Sequence, residues 1–115
     1  IFDEIRMELS NERSQLRQQL TQKMASEQFT AEEKSKAFDE MNALIERESS
    51  EAMLEMLVKS LGYPDALVRI DEGKVAVTVM SEEVSTEQAN EIVFIVKSEL
   101  DPAVQVVVDY KSNYY

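Results

Sequence analysis

The sequence predicts an α+β fold in the order α-α-β-β-α-β, a three-stranded sheet covered on one face by helices. Three observations predict it. The chain up to Gly62 is charged and spaced for helix. The stretch ALVRIDEGKVAVTV, Ala66 to Val79, alternates with period two and is rich in β-branched residues. A capped helical segment then separates that hairpin from a last Val-rich strand.

In the first segment Phe2, Ile5, Leu9, Leu16, Leu20 and Met24 fall at steps of three, four or seven. That spacing gives a helix to about Ala25 with a narrow apolar stripe, interrupted at Glu12-Arg13. At about 1.5 Å per residue it is roughly 37 Å long. A helix this polar gains little by lying flat on a core. Two arrangements follow, a start that projects and a surface helix packed along its stripe.

Thr30-Ala-Glu-Glu33 has the T-x-x-E form of a capping box, so a second helix starts at Ala31. Phe38, Met41, Ile45 and Ala52 mark one face, and Leu54, Leu57, Val58 and Leu61 continue it with a drift in phase. The stripe has no apolar member at Glu48-Ser49-Ser50-Glu51, where a bend or a new helix start is expected. Met41, Met53 and Met56 are read as core, with an adaptable partner surface as the alternative. Gly62 supplies the residue that ends the helix and Pro64 prevents continuation.

Past Pro64, Ala66, Val68 and Ile70 form one strand face, and Val75, Val77 and Val79 its counterpart beyond the turn. The connection Asp71-Glu72-Gly73 suits a type I turn followed by a glycine bulge. Ser85 and Gln88 make a second capping box, with Val84 placed to staple onto Ala89. Ala89, Ile92, Val93, Val96 and Leu100 define the buried face of this helix, and Asp101-Pro102 stops it. The last strand puts Val104, Val106, Val108 and Tyr110 on one face and Ala103, Gln105, Val107 and Asp109 on the other. Residues from Lys111 to Tyr115 are expected to fray. With the third strand beside the first, the sheet order is 2-1-3, all neighbours antiparallel, and strands 74–80 and 103–110 are its edges.

Composition excludes more than it assigns. The 115 residues carry a net charge of −11, with 8 basic and 13 acidic residues up to Gly62 and 4 and 10 after it, so no basic stripe exists. Nucleic acid and an unassisted anionic membrane are both disfavoured. Without His or Cys there is no common general base, zinc ligand or thiolate nucleophile. Paired acids such as Glu32-Glu33, Asp71-Glu72 and Glu82-Glu83 sit at caps and turns, where they complement helix dipoles or meet water. No enzyme is expected, no cofactor, no metal site and no small-molecule substrate. A metal-dependent carboxylate hydrolase is the weak alternative, and a coiled-coil adaptor is disfavoured by the break at Glu12-Arg13. The longest apolar run, Ile92 to Val96, is far short of the roughly 20 residues that cross a bilayer. The start at Ile1, with no initiator Met, suggests a fragment whose anchor lies upstream.

The run AEEKSKAFDEMNALIERESSEAMLEMLVKSLGYPDALVRIDEGKVAVTV, with the capped helix and Val-rich strand after it, resembles the extracytoplasmic domain of the stage III sporulation protein AH family. The likeness is densest from about Thr30 to Val108. It implies a ring-building-motif fold over residues 28–115, with residues 1–27 as a membrane-proximal polar helix. It also implies an anchored protein of the mother-cell membrane around the forespore, this domain lying in the intermembrane space. The implied partner is stage II sporulation protein Q, through its LytM-like domain, in a channel complex, with self-association and other stage III sporulation proteins as further partners. No family motif fixes contact residues, so candidates come from physics.

Those candidates are Val75, Val77, Thr78 and Met80 on the second strand and Gln105, Val107 and Asp109 on the third, for binding by edge-strand addition. Phe94 joins them because it falls about 140° around its helix from Ala89, off the core face. Val107 interrupts the alternation with an apolar residue on the uncovered side, so it is expected to be covered by the first helix or another chain. The rival reading is a homo-oligomeric ring scaffold of a secretion-like apparatus.

Overall fold

A computed structural model describes residues 2–71 and 73–112. The order is α1 (Phe2–Ala25), α2 (Ala31–Lys59), β1 (Ala66–Asp71), β2 (Lys74–Met80), α3 (Thr86–Glu99) and β3 (Gln105–Lys111). The chain divides into two compact units, residues 3–48 and residues 1–2 with 49–115.

The unit of residues 3–48 is helical. Thr30 starts α2 as the sequence predicts, its hydroxyl accepting from the Glu33 N–H at 3.1 Å while the Glu33 carboxylate accepts from the Thr30 N–H at 3.4 Å. Leu20, Ala37 and Leu44 are buried, and Arg17 pairs with Glu48 to link the two helical segments. Arg13, in the apparent gap of the first stripe, is itself buried.

The second unit contains the sheet. Its core is Leu54 and Val58 of α2, Ala66 and Val68 of β1, Val75, Val77 and Val79 of β2, and Ile92 and Val96 of α3. Both helices therefore cover one sheet face, as expected, and each fully buried Val, Leu or Ile contributes about 1.5–3 kcal/mol. Ser85 caps α3 with both bonds of its box: the Gln88 N–H donates to Ser85 Oγ at 3.2 Å and the Ser85 N–H to Gln88 Oε1 at 2.9 Å.

Three expectations are corrected. The sheet order is β1-β2-β3, with β1·β2 antiparallel and β2·β3 parallel, so β2 is central and the edges are β1 and β3. The physical reason is the connection. Residues 81–104 carry a helix across the sheet, and such a crossover returns the chain parallel to the strand it left. Secondly, α2 continues as one helix through Glu48–Glu51, so no new helix starts there, and Glu51 at the gap in the apolar stripe is a buried polar member of the packed face, 5% exposed. The buried face of α2 runs through Ala37, Leu44, Glu51, Leu54 and Val58. This leads to the third correction: Phe38, Ile45, Met53 and Met56 are exposed and Met41 is half-buried, so the methionine stripe is not core.

Gly73 has φ 79° and Gly62 φ 116°, in keeping with the turn roles assigned to them. The type I geometry itself rests on Glu72, and the expected fraying largely on residues 113–115, which lie outside the described residues.

Candidate docking interface

An antiparallel neighbour alternates its backbone groups inward and outward, and the register of β1 on β2 fixes which is which. Leu67, Arg69 and Asp71 face Thr78, Ala76 and Lys74. The Met80 N–H donates to the Asp65 carbonyl at 2.9 Å, which continues the same phase. The N–H groups of Ala66, Val68 and Ile70 therefore point away from the sheet. Each is occupied by a carboxylate. Ala66 donates to Asp65 Oδ1 at 2.8 Å, Val68 to Glu55 Oε2 at 3.4 Å, and Ile70 to Glu51 Oε2 at 2.7 Å.

The β3 edge is different. The Gln105 N–H donates inward to the Gly73 carbonyl at 3.0 Å and the Lys111 carbonyl accepts from the Ser81 N–H at 3.0 Å. With the parallel register, residues 105, 107, 109 and 111 bond to β2 while Val106, Val108 and Tyr110 present their backbone outward. The Tyr110 N–H is taken by Asp109 Oδ1 at 2.8 Å. Those of Val106 and Val108 have no acceptor among the described residues. Their side chains meanwhile pack on the core.

Both sides of this edge carry side chains suited to contact. On the uncovered sheet face Gln105, Val107 and Asp109 are exposed, and Val107 keeps 47% of its surface in solvent. On the helical side a groove runs between α3 and β3, lined by Val93, Lys97, Val104 and Val106 among others. Phe94, 72% exposed, stands on an adjoining apolar depression with Val93, Lys97 and Pro102. Lys74 and Lys97 line the groove, whose other lining residues include no acid, in a chain of net charge −11.

Of the predicted contact residues the structure thus gathers Phe94, Gln105, Val107 and Asp109 near one edge. It places Val75 and Val77 in the core and leaves Thr78 and Met80 half-buried on the central strand, where no strand can be added. Val107, for which cover by the first helix or another chain is expected, is exposed in the single chain. The backbone of Val106 and Val108, the lysines, and the carboxylates of Glu51 and Glu55 were missed. Only the strand parity, which follows from recognising the β2-α3-β3 crossover, signals the first.

No metal-binding group of acidic, His or Cys residues occurs among the described residues, and no described helix is long and apolar enough to cross a membrane. The Tyr63 hydroxyl is pushed above the usual tyrosine value by burial and then by the charge of Glu91.

Comparison with known proteins gives one consistent result. Residues 1–108 match the family described as SpoIIIAH-like protein. The chain is 38% identical over 113 residues to stage III sporulation protein AH of Bacillus subtilis strain 168, covering 98% of this chain and 52% of that protein. It therefore spans about half the length of that curated relative. A solved structure described as the SpoIIQ-SpoIIIAH pore forming complex contains a chain of the same fold, with TM-score 0.89, 38% identity and 97% of both chains covered.

Proposed function

Because this chain belongs to the SpoIIIAH-like protein family, we propose that it is a non-enzymatic docking module that binds a SpoIIQ-type partner in a sporulation channel complex. It does so by taking a strand of that partner onto β3. The observation that carries this reading is the pair of outward N–H groups at Val106 and Val108, flanked by exposed Val107 and Phe94. A partner strand supplies the missing carbonyls, and the side chains on either face set the fit. The domain works in the space between mother cell and forespore, held by a membrane anchor outside this sequence, with residues 1–27 as the membrane-proximal extension.

The test mixes this chain with the soluble LytM-like domain of SpoIIQ and follows mass by light scattering behind a sizing column. A 1:1 or larger complex is expected. Ligation of a synthetic C-terminal segment with an N-methyl group at Val108 removes one donor without changing the side chain, and affinity falls at least tenfold. A folded N-methylated protein that binds as tightly as the parent rules out strand addition at β3. Absence of any complex at tens of micromolar rules out the partner.

Self-association into a ring is the second reading, favoured by the exposed Phe38 and Ile45 along α2. Sedimentation of the chain alone over a wide concentration range tests it, and a strict monomer throughout removes it.

A further inference from the structure

The β1 edge is closed by a repeating device on α2. Glu51 and Glu55 are four residues apart, about 6 Å along a helix. Ile70 and Val68 are two residues apart, about 6.8 Å along an antiparallel strand. One step on the helix therefore keeps pace with one outward N–H on the strand. Glu51 serves Ile70 and Glu55 serves Val68, so helix and strand numbering run in opposite senses. The next step continues the match: Lys59 Nζ lies 4.0 Å from Asp65 Oδ1, the atom that accepts from the Ala66 N–H.

The carboxylate oxygens stand where carbonyl oxygens of an added strand must stand. They also carry negative charge that repels those carbonyls. Glu51 is 5% exposed, so water does not compete strongly for its contact with Ile70. Among the described residues β3 has no counterpart at Val106 and Val108.

We propose that Glu51 and Glu55 determine the specificity of strand addition by closing β1, so that the domain offers one edge and excludes a second copy of itself from pairing there. With both edges open, β3 of one molecule fits β1 of the next in a head-to-tail contact that does not need to close. The carboxylates remove that path and leave β3 to a different partner. This does not depend on which protein docks at β3.

The test compares full chains carrying Glu51→Ala with Glu55→Ala against Glu51→Gln with Glu55→Gln, each Gln keeping an oxygen that can accept the N–H. In sedimentation velocity the Ala variant gains concentration-dependent larger species beyond those of the parent, while the Gln variant sediments like the parent. Binding of the SpoIIQ soluble domain to either is unchanged within twofold, because β3 is untouched. A folded Ala variant that sediments like the parent overturns the proposal. If the Ala variant does not fold, amide exchange in the parent protein decides. Val68 and Ile70 exchange at least tenfold more slowly than Val106 and Val108 if carboxylates hold the edge, and equal rates overturn it.

Discussion

Single residues separate stability from docking here. Phe94 and Val107 are exposed and sit outside the core cluster, so Phe94→Ala and Val107→Lys each change the unfolding free energy by no more than about 0.5 kcal/mol. Both weaken partner binding, and calorimetric titration beside urea denaturation checks the two halves. Leu54 is fully buried in a core cluster with residues of β1, β2 and α3, and Leu54→Ala costs about 2–5 kcal/mol in the same denaturation experiment. Tyr63 gives a pH dependence. Its hydroxyl holds its proton more tightly in the folded protein than in the unfolded chain, because burial and then Glu91 disfavour the phenolate. That contribution is complete below the ordinary tyrosine value of about 10 and is lost as pH rises through the folded value. Urea midpoints between about pH 9 and 11 should fall less steeply for Tyr63→Phe than for the parent.

Elements were legible where local chemistry settles them. The capping boxes at Thr30 and Ser85 announced the starts of α2 and α3, and period two announced the hairpin. Ser85→Ala removes the acceptor for the Gln88 N–H and costs about 1 kcal/mol, measurable as a lower thermal midpoint. What the sequence reading missed lay between elements. The gap at Glu48–Glu51 looked like a break because a charged residue in a helix is assumed to meet water. Glu51 instead meets the backbone of β1, a partner that no pattern within α2 encodes. The exposed Phe38, Ile45 and Met56 misled in the opposite sense, since apolar spacing alone does not say which of two adjacent faces is buried. Strand order failed for a third reason. Alternation gives each strand its faces but not its neighbours, and those follow from the crossover through α3. Of the candidate docking residues, Phe94, Gln105, Val107 and Asp109 are exposed on α3 and β3. Those on β2 were lost with the strand order.

At the scale of the whole molecule, charge is the dominant feature. A net −11 spread over the chain repels itself, and that repulsion is larger in the compact state than in the expanded one. Raising salt from about 0.01 M to about 0.15 M shortens the screening length from about 30 Å to about 8 Å. The thermal midpoint therefore rises over that range, and scanning calorimetry at the two salts checks it. The parallel pairing of β2 with β3 has a consequence in time. The hairpin joins residues close in sequence, whereas β3 joins the sheet only after the loop of residues 81–104 has closed. Non-local closure is the slow kind. The last strand of the sheet to emerge from the ribosome is thus also the slow one to settle, and it carries the binding edge. An unfinished domain has no such edge, so the order of synthesis itself delays assembly until the module is complete.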